Sequence, residues 1–413
     1  MRAQNDVIGI DAVNPKPWRC FIVNQWLPPD FAPTAVLAGE VIELLRRASI
    51  AVVLVSRVRR EHASAPVAEG SERHVVDAVA SGPTGMLAKL SSWPTFAWRA
   101  LEILARELNA GDTLVVTSDP PLFYVLAIRL AKRRGVRVIH WSQDVYPDIV
   151  ERHSPAPALV RLLLSPARWL RNRALKQADA VVAISAGMAA RLSATGARVS
   201  EIANWARDDR LRPRAPKDSA LRREHFAEGD FVVAYSGNLG RVHEFETLIL
   251  AARVLEHDRN IRFLIVGAGP RLAELKNRVQ SAKFTSFMFL PPQPESALED
   301  SLAAGDAHLI SLQPQFEGLV LPSKLYSIAA VGRAMIFCGD EQGEVARLLD
   351  AHQCGLSALA GDGMQLAHVI RTLAGDRARC EQLGRNARSM LDQHFSRDKA
   401  LAKWATVLGL PDA

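Results

Sequence analysis

The 413-residue sequence has few cysteines and no long apolar run. Its four cysteines, at positions 20, 338, 354 and 380, lie far apart and form no C-x-x-C motif. This spacing argues against a zinc site or a disulfide framework and is typical of a reducing cytoplasm. No apolar run approaches the roughly 18 residues that a membrane-spanning helix needs. The first residues also lack the apolar centre of a secretory signal, so we expect none.

The composition is that of a folded, globular protein, with 48% apolar and 23% charged residues. A chain of this length predicts two domains of about 200 residues each. The net charge of +7 is uneven: residues 1–205 hold 25 basic and 18 acidic residues, whereas residues 206–413 hold 26 of each. Residues 129–176 alone hold 11 basic and 3 acidic residues. This positive stretch predicts an anionic partner, such as a membrane surface, a phosphate-bearing substrate or nucleic acid.

Short apolar runs alternate with helical patterns along almost the whole chain. Their near-continuous apolar character predicts strands buried on both faces of a parallel sheet, and the alternation predicts a doubly wound α/β fold. The predicted strands are 19–24, 50–56, 112–117, 136–141, 179–184 and 200–203 in the first half, and 231–236, 261–266, 285–290, 306–311 and 334–338 in the second.

We therefore expect two similar α/β domains, over residues 1–205 and 231–395, joined by a charged, proline-containing linker at 206–230. A last helix within residues 396–413 is expected to return to the first domain. Residues 60–93 are rich in small residues and are expected to form a mobile surface excursion. Two such domains enclose a cleft at the carboxyl ends of their strands, where open α/β sheets bind ligands.

Glycine-containing loops follow the first two strands of the second half. Gly237, Asn238, Gly240 and Arg241 lie in the first loop, and Gly267 and Gly269 lie in the second. Glycines let the backbone approach a diphosphate closely, and a guanidinium supplies a fixed charge with five donors. The alternatives are an ordinary glycine turn with a surface arginine and, for the second loop, packing alone, because the third glycine of the dinucleotide fingerprint is absent.

The segment FEGLVLPSKLY at 316–326 follows another predicted strand and opens a helix. Pro322 and Ser323 fit a first helical turn, and Lys324 adds an ammonium at the positive end of the helix. A cation there is unfavourable in isolation, which indicates that an anion completes the site. Glu317 lies before the turn, where its carboxylate could accept a hydrogen bond from a hydroxyl of a sugar or ribose.

Two loops of the first half are candidates for the other wall of the cleft. NQWLPPDFAPT at 24–34 contains Pro29 and Thr34, and WSQDVYPD at 141–148 contains Gln143 and Asp144. The alternatives are an ordinary strand-to-helix loop and a buried aspartate that caps its own loop. Residues 156–176 combine leucines and a tryptophan with five basic residues, which predicts either an interfacial helix on anionic lipid or a core helix with a solvated basic face.

At these loops the sequence resembles the family 4 retaining glycosyltransferases of the GT-B fold, and especially the branch that builds bacterial O-antigen, capsule and exopolysaccharide. The matching segments run in family order from about residue 19 to 395: NQWLPPDFAPT, TSDPP, WSQDVYPD, ADAVVAIS, IANWAR, YSGNLGR, FLIVGAGP and EGLVLPSKLYSIAAVGR. The resemblance implies two Rossmann-like domains that face a central cleft. It also implies that the second domain binds a nucleotide-sugar, usually a UDP-sugar.

The resemblance also assigns roles to residues. Arg241 and Lys324 would hold the diphosphate, Glu317 would lie near the donor sugar, and Asp144 would complete the catalytic set. The implied nucleotide-sugar contacts are Gly237, Asn238, Gly240, Gly267, Gly269, Pro292, Gly318, Leu319, Pro322 and Ser323. The implied acceptor side comprises Pro29, Thr34 and Gln143, facing a polyprenyl-diphosphate-linked or saccharide acceptor. No cofactor or essential metal is expected, because no Asp-x-Asp motif stands at a strand end.

The sequence departs from the family pattern at four places. Ser327 replaces the second acidic residue, and Gln143 replaces a histidine. The lysine that is usual a few residues after Arg241 is missing, with His243 nearby, and Ala32-Pro33-Thr34 replaces a Gly-Gly loop. These positions bear on the choice of sugar.

The resulting prediction is a cytoplasmic retaining glycosyltransferase of bacterial surface polysaccharide synthesis, with a peripheral position on the inner face of the membrane as a further option. The alternatives are an enzyme like UDP-N-acetylglucosamine 2-epimerase and a catalytically degenerate scaffold in a polysaccharide assembly complex. A nicotinamide oxidoreductase is disfavoured because no G-x-G-x-x-G follows the first strand, and we expect no nucleic-acid partner because no recognisable module is present.

Overall fold

The computed structural model describes residues 18–28, 30, 33–59, 71–79, 86–206 and 210–411. Pro29, predicted on the acceptor side, lies outside these residues. The strands of the described part are β1 (Arg19–Trp26), β2 (Ala51–Arg59), β3 (Ser71–Val79), β4 (Thr113–Thr117), β5 (Arg137–Ser142), β6 (Ala180–Ala183), β7 (Val199–Glu201), β8 (Phe231–Ser236), β9 (Ile261–Val266), β10 (Phe287–Leu290), β11 (Ala307–Ser311), β12 (Ala334–Gly339) and β13 (Gly355–Leu359).

Helices alternate with these strands. They are α1 (Pro33–Arg47), α2 (Met86–Glu107), α3 (Phe123–Arg133), α4 (Asp148–Arg152), α5 (Pro157–Leu163), α6 (Ser165–Gln177), α7 (Ala186–Ser193), α8 (Ala220–His225), α9 (Glu246–Val254), α10 (Leu272–Ser281), α11 (Leu298–Ala303), α12 (Lys324–Ala330), α13 (Glu344–Ala351), α14 (Gly363–Gly375), α15 (Arg377–Met390) and α16 (Arg397–Leu408). Among the described residues, none of the helices combines the length and apolar character required to cross a bilayer.

The strands form two parallel sheets, in the order β3-β2-β1-β4-β5-β6-β7 and β10-β9-β8-β11-β12-β13. In each sheet the order reverses beside the first strand of the half, β1 or β8, which is the switch point where open α/β sheets bind ligands. The central strands are buried, as the TLVVT run of β4 shows with all of its residues inaccessible. The predicted doubly wound α/β class is confirmed.

The predicted excursion at 60–93 is wrong for two of its parts. Residues 71–79 form β3, which pairs in parallel with β2 at the edge of the first sheet. Residues 86–93 belong to α2. The strand escaped prediction because its sequence SERHVVDAV is polar, as suits an edge strand with little apolar surface to bury. The rest of the excursion, 60–70 and 80–85, lies outside the described residues.

Two other segments differ from the sequence pattern. The predicted linker at 206–230 contains α8. Leu221 of this helix and Phe226 just after it pack against buried residues of the second sheet. The helical pattern at 156–177 is two helices, α5 and α6, because Pro166 starts a new helix rather than continuing the old one.

The last helix, α16, packs on the first sheet. The Trp404 ring lies 4.7 Å from that of Trp141, and Arg137 donates to the carbonyl oxygens of Val407 and Leu408 at 2.7 and 2.6 Å. The chain therefore passes from the first sheet to the second and ends against the first again.

Candidate active site

The loops that follow β8 and β9 are folded tightly onto each other. Gly237 N donates to Val266 O at 2.9 Å, and Leu239 N donates to Ala268 O at 2.8 Å. A Cβ at Gly267 would lie 2.0 Å from Gly237 O, and one at Gly269 would lie 2.5 Å from Leu239 O. Both glycines also have positive φ angles, of 151° and 149°. This close approach explains both glycines by packing, which is the alternative that the sequence left open for the second loop.

Lys324 lies against the start of the β8 loop. Its Nζ is 3.2 Å from the centroid of the Tyr235 ring, and its Cε is 3.8 Å from the position of a Cβ at Gly237. Within the described chain the ammonium is buried and has no hydrogen-bond partner. Burial lowers the pKa of Lys324 well below its ordinary value. A buried cation of this kind is stabilised when an anion binds beside it.

Arg241 lies near the end of the same loop. Its carbonyl accepts a hydrogen bond from Gln313 Nε2 at 3.0 Å, and Gln313 N donates to the neighbouring Val242 O at 2.9 Å. These bonds fix the loop backbone to the segment after β11. The side chain is exposed, and its guanidinium makes no hydrogen bond or ion pair with the described residues. The backbone of Arg241 is therefore fixed, and its exposed guanidinium is available to a ligand.

His243 does not supply the positive charge that the family's usual lysine would provide near this loop. Its buried Nδ1 lies 2.7 Å from Ser311 O, and because a carbonyl only accepts hydrogen bonds, Nδ1 carries the proton. Burial, together with the nearby charge of Lys324, lowers the pKa of His243 to about 3. The imidazole is thus neutral near pH 7, so His243 adds no positive charge to that of Arg241 in this loop.

Glu317 lies at the other end of the segment that leads to Lys324. Its Oε2 accepts from Glu344 N at 3.2 Å, whereas its Oε1 is buried and lacks a hydrogen-bond partner among the described residues. Burial, and the carboxylates of Asp340 and Glu344, raise the pKa of Glu317. The unpaired oxygen can accept a hydrogen bond from a hydroxyl group of a ligand.

The residues between Glu317 and Lys324 form a turn without regular structure. Gly318 has a φ of 68°, which a glycine adopts without strain, and Leu319 O accepts from Val145 N of the first half at 3.1 Å. The helix starts later than expected, because α12 begins at Lys324 with Ser323 before it. Pro322 is buried and Ser323 exposed.

Three further predicted positions lie around this turn and the β8 loop. Ser327 is half-buried, one turn along α12 from Lys324. Pro292 is exposed, just after β10. Asn238 accepts at its carbonyl from Tyr235 Oη at 2.9 Å.

Across the cleft, the loop after β5 is held by two residues that the motifs contain but that sequence reasoning did not single out. Ser118 Oγ accepts from the backbone N–H groups of Gln143 and Asp144, each at 3.1 Å. The amides of Gln143 and Asn204 exchange two hydrogen bonds, of 3.2 and 2.9 Å. Asp144 is half-buried, and burial raises the pKa of its carboxyl to about 6. Thr34 lies in α1, where its hydroxyl accepts from Asn24 Nδ2 at 3.3 Å.

Glu344 connects the two walls of the cleft. Its carboxylate accepts from Ala186 N at 2.8 Å and Gly187 N at 3.0 Å, at the start of α7 in the first half. A Cβ at Gly187 would lie 3.3 Å from the Cα of Gly318, so the two glycines are nearly in contact. The sequence indicates Glu344 only as an acidic residue in the first turn of a helix. No local sequence pattern predicts that it pairs with the backbone of Ala186 and Gly187 in the other half.

One group of described side chains has the composition to hold a metal ion. His74 Nε2 lies 3.0 Å from Glu107 Oε2 and 3.4 Å from Glu72 Oε1. These residues lie near the start of β3 and the end of α2. They are therefore at the amino-end edge of the sheet and apart from the loops described above.

Two family models match the chain, one for each sheet. The Glycosyltransferase Family 4 model matches residues 34–210, and the Glycosyl transferases group 1 model matches residues 217–390. The chain belongs to the family 4 glycosyltransferases. The predicted family and enzyme class are confirmed, and the two-sheet architecture is the GT-B fold that solved structures of such enzymes share.

This glycosyltransferase is similar to two curated bacterial proteins. It is 24% identical over 73% of its chain and 75% of the relative to WbjE of Pseudomonas aeruginosa, which is named as a glycosyltransferase. It is 29% identical over 56% of its chain and 58% of the relative to WcaI of Escherichia coli K12, which is named for glycosyl transfer in colanic acid biosynthesis. The sequence likeness is thus to bacterial glycosyltransferases.

Among solved structures, the fold is shared with Anabaena HepE, a structure determined in complex with UDP and glucose. The TM-score is 0.69 at 16% identity, over 95% of this chain and 99% of HepE. At this identity the likeness concerns the fold.

Proposed function

We propose that this glycosyltransferase moves a sugar from a UDP-sugar, with retention of anomeric configuration, to a lipid-linked or saccharide acceptor in the synthesis of a bacterial surface polysaccharide. The name of WcaI supports the polysaccharide, and the UDP and glucose in HepE support the donor. The resemblance to family 4 supports the retaining outcome.

One observation carries the proposal for the donor site. Two buried polar atoms of opposite charge type, Lys324 Nζ and Glu317 Oε1, lack hydrogen-bond partners among the described residues, and they end the same short segment. Burying such atoms without partners costs free energy, which a ligand that pairs with both recovers. A sugar diphosphate has the required chemistry, because its phosphate oxygens suit the ammonium and its hydroxyls suit the carboxylate.

In the proposed reaction, the bond between the anomeric carbon and the diphosphate oxygen breaks through an oxocarbenium-like state. The acceptor oxygen bonds to the same face of the sugar, and the proton of the acceptor hydroxyl passes to the departing phosphate oxygen. Negative charge grows on the diphosphate, so Lys324 and Arg241 stabilise the transition state more than the bound donor. In this proposal Asp144 and Gln143 belong to the acceptor side, and closure of the two halves around the substrates excludes water.

The test is to remove each proposed phosphate cation. Lys324→Met keeps the side-chain volume without the charge, and Arg241→Ala alters an exposed position. Each loss should lower the transfer rate by roughly a hundredfold, or about 3 kcal/mol, which is typical for one preorganised donor at a developing charge. Arg253→Ala removes a charge from an exposed residue of α9 and serves as the matched control.

Near-wild-type turnover of both variants would show that the phosphate assignment is wrong. Product analysis decides the remaining points. Conversion of the donor without an acceptor would indicate an epimerase, and UDP-sugar binding without turnover would indicate a scaffold. Inversion at the anomeric carbon would exclude the retaining mechanism, and independence from a metal ion remains a prediction from the sequence.

A further inference from the structure

Helix α5 exposes leucines instead of burying them. None of its residues is buried, and Leu159, Leu162 and Leu163 are 57%, 70% and 68% exposed. Because these positions follow the i, i+3, i+4 spacing, they lie on one face of the helix. A core helix buries such a face, so the core alternative from the sequence is wrong for α5.

Helix α6 extends the same apolar surface. Trp169 is 60% and Leu170 43% exposed, and the guanidinium of Arg173 lies 5.7 Å from the Trp169 ring. We call Leu159, Leu162, Leu163, Trp169 and Leu170 the α5–α6 patch. Several large exposed apolar side chains on two consecutive helices are typical of interaction surfaces on soluble proteins.

The charges around the α5–α6 patch are arranged by sign. The carboxylates of Asp148 and Glu151 are 13% and 6% exposed, and they form ion pairs with Arg161, Arg168 and Arg171. The outward charges are cationic, with Arg152, Arg173 and Lys176 all exposed. A second copy of the chain would place these cations against one another in a symmetric interface, whereas an anionic surface complements them.

The α5–α6 patch is connected to the cleft through α4. The loop of Gln143 and Asp144 runs directly into α4, and Val145 N in that loop donates to Leu319 O of the second half at 3.1 Å. The His153 ring at the end of α4 lies 4.5 Å from that of Phe316. The patch therefore belongs to the half that carries Gln143 and Asp144, and α4 connects it in sequence to their loop.

We infer that the α5–α6 patch docks on an anionic phospholipid bilayer, with its leucines and tryptophan inserted among the acyl chains and its cations at the headgroups. The inference deepens the proposed function, because a bilayer is where a lipid-linked acceptor is held.

The experiment is sedimentation with vesicles of pure phosphatidylcholine and of phosphatidylcholine mixed with phosphatidylglycerol, at low and high salt. The test variant is Leu162→Glu/Leu163→Glu. The matched control is Leu359→Glu/Met364→Glu, at residues of the second half that are 44% and 66% exposed. We expect the wild type and the control to sediment with the anionic vesicles, and we expect salt to weaken this binding. The test variant should bind at least about tenfold more weakly than the wild type.

The inference is overturned if the wild type stays in solution with anionic vesicles, if the test variant binds as the wild type does, or if pure phosphatidylcholine binds equally well. It is also overturned if sedimentation velocity shows a dimer that the test variant dissociates, because the patch is then a self-interface. UDP binding by thermal shift separates the two proposals: vesicle binding without UDP binding sinks the proposed function and leaves this inference standing.

Discussion

At the scale of single residues, the protonation of Lys324 is tied to occupancy of the donor site. Its ammonium lies over the Tyr235 ring, buried and without a hydrogen-bond partner among the described residues, and burial lowers its pKa well below the ordinary value. A diphosphate beside it favours the charged form and raises the pKa. Binding and protonation of this amine are therefore linked.

We predict that UDP binding takes up protons at Lys324. As the pH rises through the pKa of the free site, the unliganded amine loses its proton and the affinity for UDP falls. Calorimetry in buffers of different ionisation enthalpy measures the uptake. Lys324→Met should remove the uptake and the loss of UDP affinity that accompanies deprotonation of the amine. Unchanged uptake in Lys324→Met would assign the protons to another group of the protein.

The sequence predicts some site residues better than others. Lys324 and Glu317 were identifiable because a cation at a helix start and a carboxylate before a turn are unusual within one short segment. The pairing of Gln143 with Asn204 and the position of Tyr235 under Lys324 depend on contacts between distant segments. Such contacts leave no trace in local spacing, so only the folded chain shows them.

At the scale of elements, the start of α7 is joined to α13 by Glu344. A carboxylate at a helix N-terminus accepts the free N–H groups and interacts favourably with the helix dipole. The same residue donates its backbone N–H to Glu317. The contact between the halves and the candidate donor site thus share one residue.

Glu344→Ala should favour the open form of the cleft. Losing two charge-assisted hydrogen bonds at a half-exposed position costs about 1–2 kcal/mol, or about tenfold in kcat/KM. The kcat/KM of Glu344→Gln should lie between those of the wild type and Glu344→Ala, because its amide oxygen still accepts a hydrogen bond. Small-angle scattering should show a larger radius of gyration for Glu344→Ala. Glu256→Ala, an exposed charge loss on the second half, is the control and should change neither quantity. An unchanged radius and rate in Glu344→Ala would show that the contact does not hold the halves together.

Elements with buried apolar runs were the ones that the sequence located well. The predicted strands 231–236 and 261–266 have the observed bounds of β8 and β9, since both are central and apolar. By contrast, β3 at the polar edge was missed. The division of one helical pattern into α5 and α6 was also missed, because periodicity alone does not show where a helix restarts.

At the scale of the whole molecule, α16 adds Ala400, Trp404 and Leu408 to the core that contains the first sheet. Trp404 is fully buried against Trp141, so Trp404→Ala leaves a cavity and should destabilise the first half by about 3–5 kcal/mol. Urea unfolding followed by circular dichroism measures this loss. Trp98→Ala, at a side chain that is 72% exposed, should change the free energy of unfolding little. Equal effects of the two substitutions would show that α16 adds nothing to the first half.

The return of the chain through α16 has a mechanical consequence. The polypeptide crosses between the halves twice, once before α8 and once before α16. Arg388 Nη1, near the end of α15, donates to Leu211 O in the first crossing at 3.3 Å and to Ala330 O of α12 at 3.0 Å. Two covalent connections restrict the relative motion of two domains more than a single linker does, which favours a hinge-like rotation over free reorientation.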